Sequence, residues 1–532
     1  MDDRQSAYIM PEHVSRAVGR DAQRNNILAA KLVADIVKTT LGPKGMDKML
    51  VDSAGNTVVT NDGVTILEEM ELEHPAAKIL VDIAKTQETE VGDGTTTVAL
   101  LAGKLLEYAE QLLERNIHPT AIVKGYRMAA SKAEEILASQ SIPLRSKDVL
   151  RQIAMTAMTG KGAEGYKDAL AALLVNAVER VADGTDVDSR DIRFTKLKSE
   201  NIAASELIEG VVLQMGRAHA AMPSRIDNAR ILLIDFPLEV RSPDREAKIL
   251  VSSPEQLEHF IESEERALRS MTEAIIATGA RVLFCQRGID DVAQYYLAQA
   301  GILACRRIPK SDLEMLARAT SAGVISTLHE LSQEHLGMAA CVEEVRHGDE
   351  PFITIRGCRN PRAVTLLIRG TSLLVLDEVE RALKDGLSDI VTALKSNTIV
   401  AGGGAIEIEL ARQLALYART ISGREQLAVQ EFAHALESIP ETLAENAGLD
   451  PIDILTELKR SHDEGHAHHG LNLFSDRIED ALQAGIVEPM KVKQQAIASA
   501  TEAATLLLRI DDVLISKPRH EQKGEGVYTG LD

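Results

Sequence analysis

The residues of this chain most able to do chemistry stand together in Gly92-Asp93-Gly94-Thr95-Thr96-Thr97. Val98, Leu101, Leu105, Tyr108, Leu112 and Leu113 follow at helical spacing, which predicts that the acid lies on a loop opening a helix. A helix start offers unpaired backbone N–H groups and the positive end of the macrodipole. The glycines let a ligand approach the backbone, and the threonine hydroxyls add donors. These are the parts of a phosphate cradle. An acid at that point repels phosphate unless a hard cation such as magnesium lies between them, which is how nucleotide sites use Asp. The plainer alternative is an Asp-Gly turn whose threonines cap the helix.

The elements that must position these groups are mostly helical at both ends of the chain. Residues 25–40 carry Ile27, Leu28, Leu32, Ile36 and Val37 on one face and stop at Gly42-Pro43. A short strand, Thr57-Val58-Val59-Thr60, ends in Asn61-Asp62-Gly63, a strong turn signal that sets a second acid on a tight turn. His118-Pro119 starts a further helix to about 139, and Ile142-Pro143 reads as a boundary. Residues 147–213 mix a helix (169–181), an acidic turn and a strand (192–197). Residues 214–367 change character. Apolar runs such as Ile231-Leu232-Leu233-Ile234 and Val282-Leu283-Phe284-Cys285 alternate with helical stretches, the pattern of an α/β unit with buried strands. Within it Ser253-Pro254-Glu255-Gln256 has capping-box form and leads into Leu257, Ile261, Leu268 and Met271 among many charges, predicting a long exposed amphipathic helix. From 377 the chain reads as helix almost to 511, passing Ala401-Gly402-Gly403-Gly404-Ala405. The order helical, α/β, helical suggests an insertion within a discontinuous domain.

At 532 residues the chain is too long for one core, and domain sizes give a prior of roughly three to four domains. Its 45% hydrophobic and 26% charged residues are those of a globular protein. A net charge of -21, from 59 basic and 80 acidic residues, argues against a nucleic-acid or anionic-membrane binder. Cys285, Cys305, Cys341 and Cys358 lack metal or disulfide spacing, which fits a reducing cytoplasm. No apolar run approaches the roughly 18 residues that span a bilayer, and the first residues lack a signal peptide's apolar region. With 3% aromatic residues and no Trp, cores must rest on Leu, Ile, Val, Ala and Met.

Three motifs in order now become informative together: Lys38-Thr39-Thr40-Leu41-Gly42-Pro43-Lys44-Gly45-Met46-Asp47-Lys48, Thr60-Asn61-Asp62-Gly63-Val64-Thr65-Ile66-Leu67, and Gln87-Glu88-Thr89-Glu90-Val91-Gly92-Asp93-Gly94-Thr95-Thr96-Thr97. Ala401-Gly402-Gly403-Gly404-Ala405-Ile406-Glu407, Glu445-Asn446-Ala447-Gly448-Leu449-Asp450-Pro451 and Gly470-Leu471-Asn472-Leu473-Phe474 follow. With them the chain resembles a group II chaperonin subunit of the archaeal thermosome type, related to the eukaryotic cytosolic chaperonin, over nearly its whole length.

The resemblance implies a multidomain α and α/β subunit. It has a mainly helical discontinuous equatorial ATPase domain (1–146 and 402–532) and a small α/β intermediate domain (147–213 and 368–401). The third part is an α/β apical domain (214–367) with a helical protrusion, about 241–271, acting as a built-in lid. It implies ATP and Mg2+. Leu41, Gly42 and Pro43 with Asn61, Gly92, Gly94, Thr95, Thr96 and Thr97 would hold the nucleotide, and Asp93 the magnesium. Asp62 and Asp385 would be the catalytic acids, Asp385 reaching the nucleotide from the intermediate domain. Asp389, one helical turn on, is the alternative to Asp385, and Gly386 stands where an alanine is more usual. Lys161 would pair with the γ-phosphate, while Gly403, Asn472 and Glu488 would line the nucleoside end.

Function by resemblance is ATP-driven folding of non-native polypeptides inside a double ring of eight or nine identical or related subunits per ring, in the cytoplasm. The contrasting reading is an ATPase-bearing ring or filament scaffold with little folding activity. Thr320-Ser321-Ala322-Gly323 departs from a more glycine-rich family stretch, and residues 521–532 lack the Gly-Met repeats of some relatives. His462, His466, His468 and His469 have metal-ligand flavour, against which stands a merely compositional His-rich loop.

Overall fold

The helical spacing condenses into helices whose apolar faces are almost fully covered. The computed structural model describes residues 14–516 apart from 52–54, 56, 71, 163, 183, 185, 200, 241–253, 349 and 359–362. The chain divides into two compact units, Met1–Ile142 with Val400–Ile486 and Met490–Asp532, and Pro143–Ile399 with Val487–Pro489.

The first unit is built on helices Arg20–Lys38, Pro75–Val91, Thr95–Glu114, Pro119–Gln140, Ala405–Ala418, Glu425–Asn446 and Met490–Leu507. Leu80, Val98, Leu101, Leu105, Leu106 and Phe432 fill their common core. Lacking aromatic bulk, the core gains density by close helix approach. A Cβ on Gly103 would meet the Ala34 Cβ at 2.3 Å, and one on Gly125 the Ala428 Cβ at 2.5 Å, so small residues are required at both crossings. Besides Phe432, Tyr126 is a fully buried aromatic residue of this core. It lies edge-on to Phe432, with ring centroids 5.7 Å apart, and donates its hydroxyl to the Leu105 carbonyl at 2.7 Å.

Three antiparallel pairs decorate this unit. Val14–Val18 pairs with Asp512–Ser516, Lys48–Val51 with Thr57–Thr60, and His469–Asn472 with Arg477–Asp480. The first joins the two ends of the chain's described part, a pairing with no local sequence signal. The third corrects the expectation of unbroken helix from 377 to 511, because the short hairpin and the strand Val487–Pro489 interrupt it. The residues beyond 516, read as a polar tail, lie outside the described part.

The second unit holds a seven-stranded mixed sheet in the order Leu303–Cys305, Val282–Cys285, Arg225–Ile234, Gly337–His347, Glu350–Cys358 and Gly210–Leu213, with Val324–Ile325 also paired to Arg225–Ile234. The strands with continuous apolar runs are the parallel ones. Ile231 and Leu233 enter the core on one face, Leu232 and Ile234 that on the other, so no position on this stretch can be polar. The long antiparallel ladder between Gly337–His347 and Glu350–Cys358 lacks strict polar–apolar alternation, with Phe352 to Ile355 all buried, so no period-2 signal marks it in the sequence. A separate three-stranded sheet sets Val364–Gly370 between Ile192–Lys198 and Glu206–Ile208. Against it lies the helix Leu373–Ser396, four residues longer at its start than the sequence suggests and capped by Ser372.

The amphipathic helix runs from Pro254 to Ala277, and its second half buries one face. Phe260 and Ile261 are 40% and 55% exposed, whereas Leu268 and Ile275 are buried in the sheet's outer core. Residues 241–253 of the expected protrusion and the Leu257 side chain lie outside the described part. All four cysteines are free thiols, and burial pushes Cys285 up to about 12 and Cys358 up to about 11. Among the described residues no helix is long and apolar enough to cross a membrane.

Candidate functional site

Three loops of the first unit carry the groups singled out above. Gly92 and Gly94 both adopt left-handed backbone, with φ 79° and 81°, and Gly94 stands at the start of helix Thr95–Glu114 without any side-chain cap. The alternative of a threonine-capped turn is therefore not what forms. No side chain takes up the first amides of the helix as a cap.

Asp62 caps the short helix Gly63–Glu69 through its Oδ2, which accepts from the Thr65 N–H at 3.0 Å and the Thr65 hydroxyl at 2.6 Å. Its Oδ1 accepts from the Thr95 hydroxyl at 3.2 Å. Two motifs more than 30 residues apart thus meet at one carboxylate. A Cβ on Gly63 would lie 2.6 Å from the Thr96 hydroxyl, so a side chain here would push the two loops apart. Thr95 and Asn61 are buried, and Asp62 and Asp93 half-buried.

The loop carrying Leu41, Gly42 and Pro43 is held from outside itself. Asn446 donates its amide to the carbonyls of Lys38 at 3.0 Å and Leu41 at 2.8 Å. Gly42 has φ 81°, and a Cβ on it would lie 2.3 Å from a Leu443 methyl. Gln87 does the same for Asp93. Its side-chain amide donates to the Asp93 carbonyl at 2.9 Å and the Val492 carbonyl at 3.2 Å while fully buried. Neither pin was assigned a role from sequence. The signal for Gln87 was present: with Leu80, Ala84 and Val91 it lies on the buried face of Pro75–Val91, where an amide must find partners.

Gly403, with φ 63°, leads into helix Ala405–Ala418, and its carbonyl accepts from the Leu471 N–H at 2.8 Å. Asn472 closes the following hairpin. Its Oδ1 accepts from the Phe474 N–H at 2.9 Å, and its amide donates to Glu479. Glu488 belongs to the short segment Val487–Pro489 counted with the second unit.

In that second unit, Lys161 follows helix Lys147–Met158 on a turn whose Gly160 has φ 78°. Its ammonium forms an ion pair with Asp385, in the middle of Leu373–Ser396. Asp389, one turn further, is 2% exposed. Between them Gly386 faces Leu174, where a Cβ would lie 3.2 Å from a methyl, so glycine lets this helix lie close against its neighbour.

The histidines do not form a metal site, and among the described residues no cluster of three or more His, Cys, Asp or Glu could hold an ion. His462 lies in the last turn of helix Pro451–Asp463 rather than in a loop, with both ring nitrogens occupied by protein partners.

The sequence profile of the TCP-1/cpn60 chaperonin family matches residues 33–518. The chain belongs to this family. It is 52% identical over 521 residues to a thermosome subunit of Methanopyrus kandleri, covering 97% of this chain and 96% of that one. It is likewise 52% identical over 522 residues to the thermosome subunit alpha of Archaeoglobus fulgidus (97% and 96% covered), and 51% identical over 531 to a thermosome subunit of Methanocaldococcus jannaschii (98% of each). At that similarity over nearly the full length, the chaperonin is of the group II thermosome type, an ATPase that assists protein folding.

Proposed function

We propose that this chaperonin hydrolyses ATP at the loops converging on Asp62 and uses the cycle to enclose and release non-native polypeptides. The observation that carries the reading is the double engagement of Asp62 by Thr65 and Thr95, which welds the Asn61-Asp62-Gly63 turn to the start of helix Thr95–Glu114.

Hydrolysis needs a polyphosphate cradle, charge neutralisation and a group that orients water in line. The backbone around Leu41, Gly42 and Pro43 and the amides of Gly94, Thr95, Thr96 and Thr97 supply the cradle, with Asn61 and Gly92 at its edge. The uncapped helix start and the left-handed glycines, where a Cβ on Gly94 would crowd Gln87 and Val492 at 3.0 and 3.1 Å, fit an anion there. Asp93, its backbone pinned by Gln87, would hold Mg2+. Bound there, the ion neutralises charge on the polyphosphate. A carboxylate has about four acceptor sites, and three on Asp62 are taken, which leaves one to orient the attacking water.

Asp385 is the second catalytic acid. Its carboxylate is partly exposed, at 22%, whereas Asp389 is buried. Hydrolysis then waits on the approach of the Asp385 helix to the nucleotide, and chemistry is coupled to a domain movement. Lys161 pairs with the γ-phosphate, and Gly403, Asn472 and Glu488 receive the nucleoside.

The chain is divided here into equatorial (1–146, 402–532), intermediate (147–213, 368–401) and apical (214–367) domains, with the lid at about 241–271. The sites work in a cytoplasmic double ring of identical or related subunits. The test is recovery of a denatured enzyme by the purified chaperonin and its Asp385→Ala variant. Recovery that needs ATP with the parent protein and fails with the variant is expected; equal recovery with both overturns the assignment.

A further inference from the structure

Beneath the loops given to the nucleoside end lies a buried polar relay that no part of the hydrolytic scheme uses. His462 is fully enclosed, its side chain 0% exposed. Its Nδ1 lies 3.0 Å from a Glu409 carboxylate oxygen and its Nε2 2.8 Å from the His469 carbonyl. Glu409 is 1% exposed and also accepts from the Arg412 guanidinium at 2.6 and 3.1 Å and from the Gln413 amide at 2.7 Å. Ser461 adds a bond to the His469 ring at 2.9 Å, and that ring stacks on His466 with centroids 4.6 Å apart.

Each end of the relay is anchored to one of the two nucleoside loops. Glu409 sits one turn inside the helix that Gly403 opens, and His469 begins the strand that ends at Asn472. The loops themselves are pressed together. A Cβ on Gly470 would lie 2.6 Å from the Gly402 carbonyl oxygen, and one on Gly403 would lie 2.7 Å from that of Leu471. Backbone packed this closely has one workable separation, and His462 spans the two elements that set it. A buried imidazole with both nitrogens bonded resists sliding because any shift strands a polar group away from water.

We infer that His462, held by Glu409, is a positioning residue for nucleoside recognition, fixing the distance between the Gly403 loop and the Asn472 hairpin. The inference rests on the assignment of Gly403 and Asn472 to the nucleoside end. It predicts that loosening the relay costs affinity for the nucleoside and discrimination between bases while leaving the phosphate cradle, on other loops, intact.

The experiment measures binding of Mg-ADP, Mg-GDP and inorganic tripolyphosphate to the assembled chaperonin carrying His462→Phe, His462→Gln or Gly403→Ala. His462→Phe is expected to weaken Mg-ADP by about tenfold, the size of one lost buried hydrogen bond, and to reduce the ADP-over-GDP preference in proportion. Tripolyphosphate binding stays unchanged, and His462→Gln, which can still donate to the His469 carbonyl, recovers part of the loss. Unchanged ADP affinity, or equal losses of ADP and tripolyphosphate, overturns the inference. If Gly403→Ala weakens ADP while both His462 variants do not, the positioning role alone falls. If Gly403→Ala is also without effect, the nucleoside assignment falls with it. Should His462→Phe fail to assemble, the same comparison made with His462→Gln decides.

Discussion

Lys161 and Asp385, 224 residues apart, form an ion pair between a glycine-bounded turn and the middle of a long helix. The two side chains are 17% and 22% exposed, so water screens the pair less than it would an open surface bridge. It binds the turn that would sense the γ-phosphate to the acid that would act on water. One ammonium can serve both, since it has three N–H donors and no fixed direction.

Asp385→Ala is expected to bind ATP with near-parental affinity and to hydrolyse it at least about 100-fold more slowly, the usual scale for a lost acid–base group. Asp389→Ala should keep its turnover and lower the thermal midpoint instead, because a buried acid is removed. Single-turnover rates and melting curves on both variants check this. The opposite pattern would move the catalytic role one helical turn along.

For Lys161→Ala the discriminating quantity is the ratio of ATP to ADP affinity. If the ammonium meets the γ-phosphate, ATP binding weakens by about tenfold and ADP binding does not change, as for one charge-assisted bond. Equal affinities for the parent and variant with both nucleotides would leave Lys161 as a holder of Asp385 only.

Gln87→Leu keeps the volume and removes the two side-chain bonds to the Asp93 and Val492 carbonyls. A loss of about 2 kcal/mol in stability is expected. Mg-ATP binding should weaken with it, whereas Asp93→Ala, which removes the ion's ligand itself, should abolish magnesium-dependent turnover. Calorimetric melting and ATPase assays separate the two effects.

Burial alone would raise the Glu409 carboxyl, but hydrogen bonds from His462, Arg412 and Gln413 outweigh it and bring the group down to about 2. A carboxylate depressed on folding contributes stability above its unfolded value and loses it as pH falls through the folded one. The advantage of the parent over Glu409→Gln should therefore be full near neutrality and shrink from about pH 4.5 down to about pH 2. Denaturant midpoints of both proteins across that range test it, and a difference that does not vary with pH would contradict it.

Deleting residues 253–266 removes the exposed half of the Pro254–Ala277 helix and stops short of Leu268, where burial begins. ATP hydrolysis should persist at the parental rate while a trapped polypeptide loses its protection from added protease. Retained protection would show that another segment closes the chamber.

The local grammar of this chain was legible because it is written in short spacings. The Gly92 to Thr97 loop and its helix, the strand into Asn61-Asp62-Gly63, and the doubly buried runs at 231–234 and 282–285 all follow from residue types within a few positions of one another. The ordered motifs identified the family on the same basis. What tertiary structure alone decided are the meetings across long separations: Thr95 with Asp62, Gln87 with the Asp93 and Val492 carbonyls, Asn446 with Leu41, Lys161 with Asp385, and the strand pairing of 14–18 with 512–516. His462 shows why. Among neighbouring histidines and acids it reads as one more member of a His-rich loop, and only the packing of a helix turn against Glu409 and the His469 carbonyl gives its two nitrogens their partners. Periodicity says which face of an element is buried, but a polar side chain on that face takes its role from whatever the fold brings within hydrogen-bonding distance.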